Sequence, residues 1–192
     1  MLKRHGLAGL VPALLFGAVL LGLPGAAVSA QLAAPEGAVV VTVAGSIENT
    51  NRGAFDPATD LFLKYHERSF DKAAAFDRAM LEKLGVHKMT IDFEGFPAPV
   101  QLEGPRLKDL VAAVGGEGQS VSLVALDGYA SEISWADLEA LDWIVGLRQD
   151  GRDLGLGQRG PLWVVYSYPD GRSLTAEDEL RWPWATFYIE IN

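Results

Sequence analysis

The sequence predicts an α+β domain on a mixed sheet, and three observations carry that expectation. Strand-like runs outnumber helix-like ones, the two kinds do not alternate regularly, and Asp-Gly pairs at 127–128, 150–151 and 170–171 punctuate the second half as turns. Regular alternation would instead mark a doubly wound parallel sheet.

Residues 1–30 have the parts of a secretory signal: Lys3 and Arg4, an apolar run from Leu7 to Leu23, and the small-residue ending Val28-Ser29-Ala30. Cleavage is expected before Gln31, which leaves residues 31–192 as a single compact domain of 162 residues, long enough for a substantial core. Gly9, Pro12, Gly17 and Gly22 interrupt the apolar run, which favours a cleaved signal over a retained anchor. The expected location is periplasmic or secreted, with no transmembrane segment after cleavage.

Without Lys3 and Arg4 the domain has 14 basic and 25 acidic residues, a net charge of −11, a poor surface for nucleic acid. The chain has no cysteine, so disulfides, thiolate nucleophiles, thiolate zinc sites and iron–sulfur clusters are excluded. Past the signal only His66 and His87 remain, twenty-one positions apart, which argues against a histidine-rich metal site.

Residues 31–37 read as a short flexible leader, and the β-branched run Ala38 to Val43, closed by Gly45, reads as the first strand. Turn formers dominate 48–60, which reads as a surface loop. Ser69 can cap a helix over 70–84, because Phe70, Ala73, Ala74, Met80, Leu81 and Leu84 share one face and Gly85 can end it. Lys88 to Phe93 reads as a strand, followed by a turn from Glu94 to Pro99. A second helix opens at Pro105, places Leu107, Leu110, Val111 and Val114 at core spacing, and stops at Gly115-Gly116.

Val121 to Leu126 and Tyr129 to Ile133 read as paired strands, after which Ser134 caps a short helix with Asp137 at its third position. Trp143 to Arg148, Leu162 to Tyr168 and Ala185 to Ile191 complete the strands. Asp137, Glu139 and Asp142 read as the solvated side of the short helix.

Gly155-x-Gly157-x-x-Gly160 has the spacing of a dinucleotide loop, but a strand follows it where such a loop needs a helix, so it reads as a plain turn. No Gly-x-Ser-x-Gly elbow is present. Two groups suit ligand binding. Arg148, Arg152 and Arg159 concentrate positive charge and could hold a phosphate. Arg181, Trp182, Pro183 and Trp184 place large rings beside a cation, fit either for stacking or for covering one end of the core.

The order of Phe93-Glu94-Gly95, Gly104-Pro105-x-Leu107-x-x-Leu110, Ala125-Leu126-Asp127-Gly128-Tyr129, Leu147-Arg148-x-Asp150-Gly151-x-x-Leu154, Gly160-Pro161-Leu162 and Arg181-Trp182 resembles the molybdopterin-binding oxidoreductase domain of the sulfite oxidase type. More closely, it is similar to the short exported bacterial members that consist of this domain alone. The resemblance implies an α+β mixed-sheet fold of that type. It also implies oxygen-atom transfer at a molybdenum held by a pterin dithiolene and a protein cysteine. Tyr129, Arg148 and Arg181 stand at matching motif positions and, with Arg159 and Trp182, form the candidate cofactor-binding set. The chain departs from the family in having no cysteine ligand, and in carrying Trp163 where full-length members have an arginine.

Three readings follow. In the first, an oxidoreductase-like domain without molybdenum chemistry, and so without a cofactor, binds a small anionic ligand or a protein partner in the former cofactor cleft. In the alternative, a genuine oxidoreductase holds molybdopterin through the dithiolene alone. A third makes the chain an interaction module for a periplasmic or membrane protein, with Glu48 to Asp60 and the acidic surface as contacts.

Overall fold

The structure, a computed structural model, describes residues 1–2, 32–93 and 95–192; the signal expected over 1–30 therefore lies, apart from Met1 and Leu2, outside the described residues. The chain runs through β1 (Val39–Gly45), α1 (Leu61–Tyr65), β2 (Ala73–Asp77), α2 (Arg78–Lys83), β3 (His87–Ile91), β4 (Val100–Gly104), α3 (Leu107–Ala113) and β5 (Ser120–Ala125). It continues through β6 (Ala130–Ser134), α4 (Trp135–Ala140), β7 (Asp142–Gly146), β8 (Arg148–Gln149), β9 (Arg152–Asp153), β10 (Trp163–Ser167), α5 (Ala176–Glu179) and β11 (Thr186–Ile191). This is an α+β domain with mixed pairing and few, short helices.

The β-branched run forms β1, with Val41 and Val43 buried. It pairs antiparallel with β2 and parallel with β11, Thr42 lying opposite Tyr188, so the first and last strands share a five-stranded sheet of order β2-β1-β11-β5-β6. A second sheet runs β3-β4-β8-β9, and β7 pairs with β10. Backbone bonds join these last two groups: Val145 donates to the Pro105 carbonyl and Leu147 to that of Glu103, both at 2.8 Å. The approach requires glycine at 104, because a Cβ there would lie 1.9 Å from the Val145 carbonyl oxygen. Leu102, Leu107, Leu110, Ile144, Val145, Trp163 and Val165 fill the core between the layers.

Four expectations need correction. The helix predicted over 70–84 is strand β2 followed by α2, and its cap is Asp77, whose carboxylate accepts from the Met80 amide at 2.8 Å, not Ser69. All five β2 residues are buried, and the small Ala73-Ala74-Ala75 run fits beneath neighbouring chain, so tertiary pairing overrides alanine's helical preference. The loop at 49–52 covers the free edge of β2: Arg52 and Ala73 exchange backbone bonds at 3.1 Å, and the Asn51 side chain bonds the Ala75 amide and carbonyl.

The described part of the expected flexible leader is tied down. Glu36 and Gly37 amides donate to Asp77 Oδ2 at 2.8 and 2.7 Å, and these bonds with the α2 cap hold the Asp77 carboxyl below the usual carboxylate range. Strand β4 was not foreseen, and α3 begins at Leu107 behind Arg106, with Pro105 outside it. The strand expected over 143–148 divides at Leu147 into β7 and β8. The Ser134 cap stands as read, its hydroxyl accepting from the Asp137 amide at 3.1 Å. Among the described residues no helix is long and apolar enough to cross a membrane.

Replacing Gly104 by alanine forces β4 and β7 apart. Thermal unfolding should show a loss of about 3 kcal/mol, a melting temperature lower by roughly 6–12 °C.

Candidate functional site

Six pieces of chain converge at one end of the molecule. The turn after Phe93 brings in Phe96, whose amide donates to the Phe93 carbonyl at 2.9 Å. The β8–β9 hairpin turns through Asp150 (φ 50) and Gly151 (φ 75), two left-handed residues that suit its two-residue connection. The glycine-rich segment 155–160 is a turn, as its sequence context predicts, and it carries Arg159 to the head of β10, where Trp163 is fully buried. The segment from Trp182 to Ala185 and the loop from Asp127 to Tyr129 complete the ring.

Ala185 locks these pieces together. Its amide donates to the Arg159 carbonyl at 2.9 Å and its carbonyl accepts from the Leu126 amide at 3.1 Å, in a left-handed conformation (φ 48) that is uncommon outside glycine. Trp184, half exposed at 48%, is thereby held between two clefts.

The larger cleft, about 820 Å³, is lined by the hairpin, by Gln158 and Arg159, and by Trp184. The Arg159 guanidinium lies 4.6 Å from the centre of the Trp163 ring, 4.9 Å from Phe96 and 5.3 Å from Trp184. Its Nε is buried without a hydrogen-bond partner among the described residues, and its Nη1 makes a long 3.4 Å bond to the neutral Gln149 amide oxygen. Among the described residues neither Arg159 nor the exposed Arg152 has an ion-pair partner. The cleft's two carboxylates are already engaged. Asp153 takes Arg148 Nε at 3.0 Å and Arg78 Nη1 at 3.2 Å, while Asp150 accepts from the Gln101 amide at 2.9 Å and from Gln149 Nε2 at 3.3 Å.

The smaller cleft, about 370 Å³, lies on the other flank of Trp184, among Tyr129, Leu180, Trp182 and Pro183, with Asp127 and Glu179 at its rim. The Tyr129 hydroxyl donates to the Leu180 carbonyl, which fixes the ring.

The five residues singled out from sequence thus occupy different settings. Arg159 and Tyr129 line different clefts that share Trp184. Trp182 touches the smaller cleft but is 2% exposed, packed edge-on against Phe93, Trp163 and Tyr166, so it covers the core. Arg148 is engaged by Glu82 and Asp153. Arg181 pairs with Asp137 at 2.7 Å and lies 5.1 Å from the Tyr166 ring centre, in a separate hollow with Tyr168, Arg172 and Asp178. Burial disfavours its charge, but the Asp137 carboxylate more than restores it, raising its pKa. Sequence reading did not single out Leu180, Gln149 or Phe96, and weighed Trp184 and Arg152 only within their groups.

The hollow beside Arg181 is a structural pin. Asp178 is buried and accepts from the Tyr166 hydroxyl, from Tyr168 at 2.7 Å, from the Thr175 amide at 2.6 Å and from the Thr175 hydroxyl at 2.9 Å. Burial alone would raise its carboxyl, but these four donors outweigh it and hold the pKa below the usual range. Burial, and then the bond to Asp178, push the Tyr166 hydroxyl far above its ordinary value.

Among the described residues no three His, Cys, Asp or Glu side chains are grouped to hold a metal ion. Neither a family model nor a curated protein matches this chain.

Because its native pKa is lowered, Asp178 adds stability that is present above the unfolded carboxyl's pKa of ~4 and is lost as pH falls through the native value. Asp178→Asn should therefore cost about 1–3 kcal/mol at neutral pH by urea unfolding, with the gap to wild type narrowing as the pH falls through the lowered native pKa of the carboxyl.

Proposed function

We propose that this chain is an exported domain of the sulfite-oxidase-type molybdopterin-binding kind that lacks the family's metal chemistry and binds a small anion in the larger cleft. One observation carries the anion reading: Arg159 is a partly buried guanidinium, its Nε shielded from solvent, that has no carboxylate partner among the described residues, standing in a chain of net charge −9 where the neighbouring Arg78 and Arg148 are paired. Partial burial of a cation without a counter-charge costs solvation, and cation–π contacts offset only about 0.5–2 kcal/mol each. An anion at the guanidinium would supply the missing partner through charge-assisted bonds.

Support for the family is the mixed-sheet α+β architecture, together with the placement of motif residues Tyr129 and Trp182 and of the neighbouring Arg159 around one pair of clefts. The donor set does not fit the family's metal centre. The larger cleft offers guanidinium, amide and carboxylate groups, and the whole chain holds no thiolate to serve as the protein ligand. Arg159 and Arg152 suit an anion without calling on a metal.

The test is an NMR titration of the purified domain with acetate and with inorganic phosphate, alongside metal analysis after expression in a host able to make molybdopterin. Saturable binding should weaken tenfold or more in Arg159→Ala and stay unchanged in Arg181→Ala, whose guanidinium lies in another hollow. Equal binding by Arg159→Ala and wild type, or no binding at all, overturns the anion reading. Molybdenum at nearly one atom per chain overturns the loss of metal chemistry.

A further inference from the structure

Trp184 gives the two clefts a shared wall, and their chemistry differs on its two sides. One side presents the guanidinium groups of Arg159 and Arg152, which have no ion-pair partner among the described residues. The other presents apolar surface that a folded domain would ordinarily cover: Leu180 is 68% exposed, Tyr129 47% and Trp184 48%, and the largely buried Pro183 lines the same cleft. Its rim carries Asp127 and Glu179. Asp127 accepts the Tyr129 amide at 3.0 Å, and neither carboxylate has an ion-pair partner among the described residues, so this side repels a second negative charge.

We infer that the paired clefts form one site for an amphipathic monoanion, whose head group lies at Arg159 and whose apolar arm crosses Trp184 to rest on Tyr129, Leu180 and Pro183. This rests on the anion reading of the larger cleft and adds the class of ligand. A dianion extended along the site meets Asp127 and Glu179, and a bare inorganic ion leaves the apolar cleft unused. The arm gains by removing apolar surface from water on both partners. Its position is set before binding, because the Tyr129 hydroxyl is tied to the Leu180 carbonyl and Ala185 ties Leu126 to Arg159, which lowers the ordering cost on association.

Isothermal titration and NMR with acetate, 4-phenylbutyrate and 4-phenylbutylamine test the inference. 4-Phenylbutyrate should bind roughly tenfold tighter than acetate, and the amine, which has the same arm with a positive head, should bind more weakly than the acid. Tyr129→Ala should remove most of the tenfold advantage, and Tyr129→Phe, which keeps the ring but loses the tie to Leu180, should retain the larger part of it. Arg159→Ala should weaken both acids.

Equal affinity for acetate and 4-phenylbutyrate, or a Tyr129→Ala variant that binds 4-phenylbutyrate like wild type, overturns the two-cleft site while the anion site at Arg159 stands. Loss of acetate binding together with the arm's advantage in a folded Tyr129→Ala variant also overturns it, since the arm cleft would then not be separable. If neither acid binds the wild-type domain, both readings fall. Circular dichroism of each variant separates loss of binding from loss of fold.

Discussion

The site depends on the backbone of one residue, Ala185. Its amide holds Arg159 and its carbonyl holds Leu126, and the left-handed turn at φ 48 lets the chain leave the buried Trp182, turn Trp184 outward and enter β11 within four residues. Left-handed backbone costs a non-glycine residue about 1–2 kcal/mol. Two hydrogen bonds and the register of β11 against β5, where Thr186 lies opposite Ala125, outweigh that cost. Because β11 also pairs in parallel with β1, the placement of Trp184 is referred back to the centre of the main sheet.

Against this frame, the arginines divide by whether their charge is answered. Arg148 and Arg181 meet carboxylates directly, and Arg78 meets both Asp153 and the Leu147 carbonyl, so each contributes to holding elements together. Arg159 instead has three aromatic faces and a neutral amide. Ring faces stabilise a cation but leave its hydrogen-bonding capacity unspent. On the anion reading proposed for the larger cleft, that difference separates a binding group from a structural one, and linear spacing does not reveal it.

The α+β class and most strands were legible because period-two runs and Asp-Gly turns report local preference directly. Ser134 likewise announced α4. The helix read over 70–84 failed because Ala73 to Ala75 have strong helical preference in isolation, while the edge of β1 and the covering loop at 51–52 decide their state, and those partners are distant in sequence. At the site, the arginine cluster and the Trp-Pro-Trp segment were visible as composition, and Arg159 and Tyr129, taken from different parts of the sequence, line two clefts that share Trp184. Which arginine lacks a counter-charge was not visible, since Glu82, Asp137 and Asp153 reach their partners only through tertiary packing. For the same reason Trp182 and Trp184, two positions apart, could not be told apart as core and surface.

The central claim is that the Arg159 charge awaits an anion. The most direct measurement follows the Arg159 side-chain Nε–H in ¹H–¹⁵N spectra, assigned through Arg159→Lys, while 4-phenylbutyrate is added. The account predicts a saturable shift of this resonance on the same binding curve as the Trp184 indole signal, with the Arg148 and Arg181 signals unmoved. An Arg159 resonance that stays still while the ligand saturates other parts of the protein would contradict it.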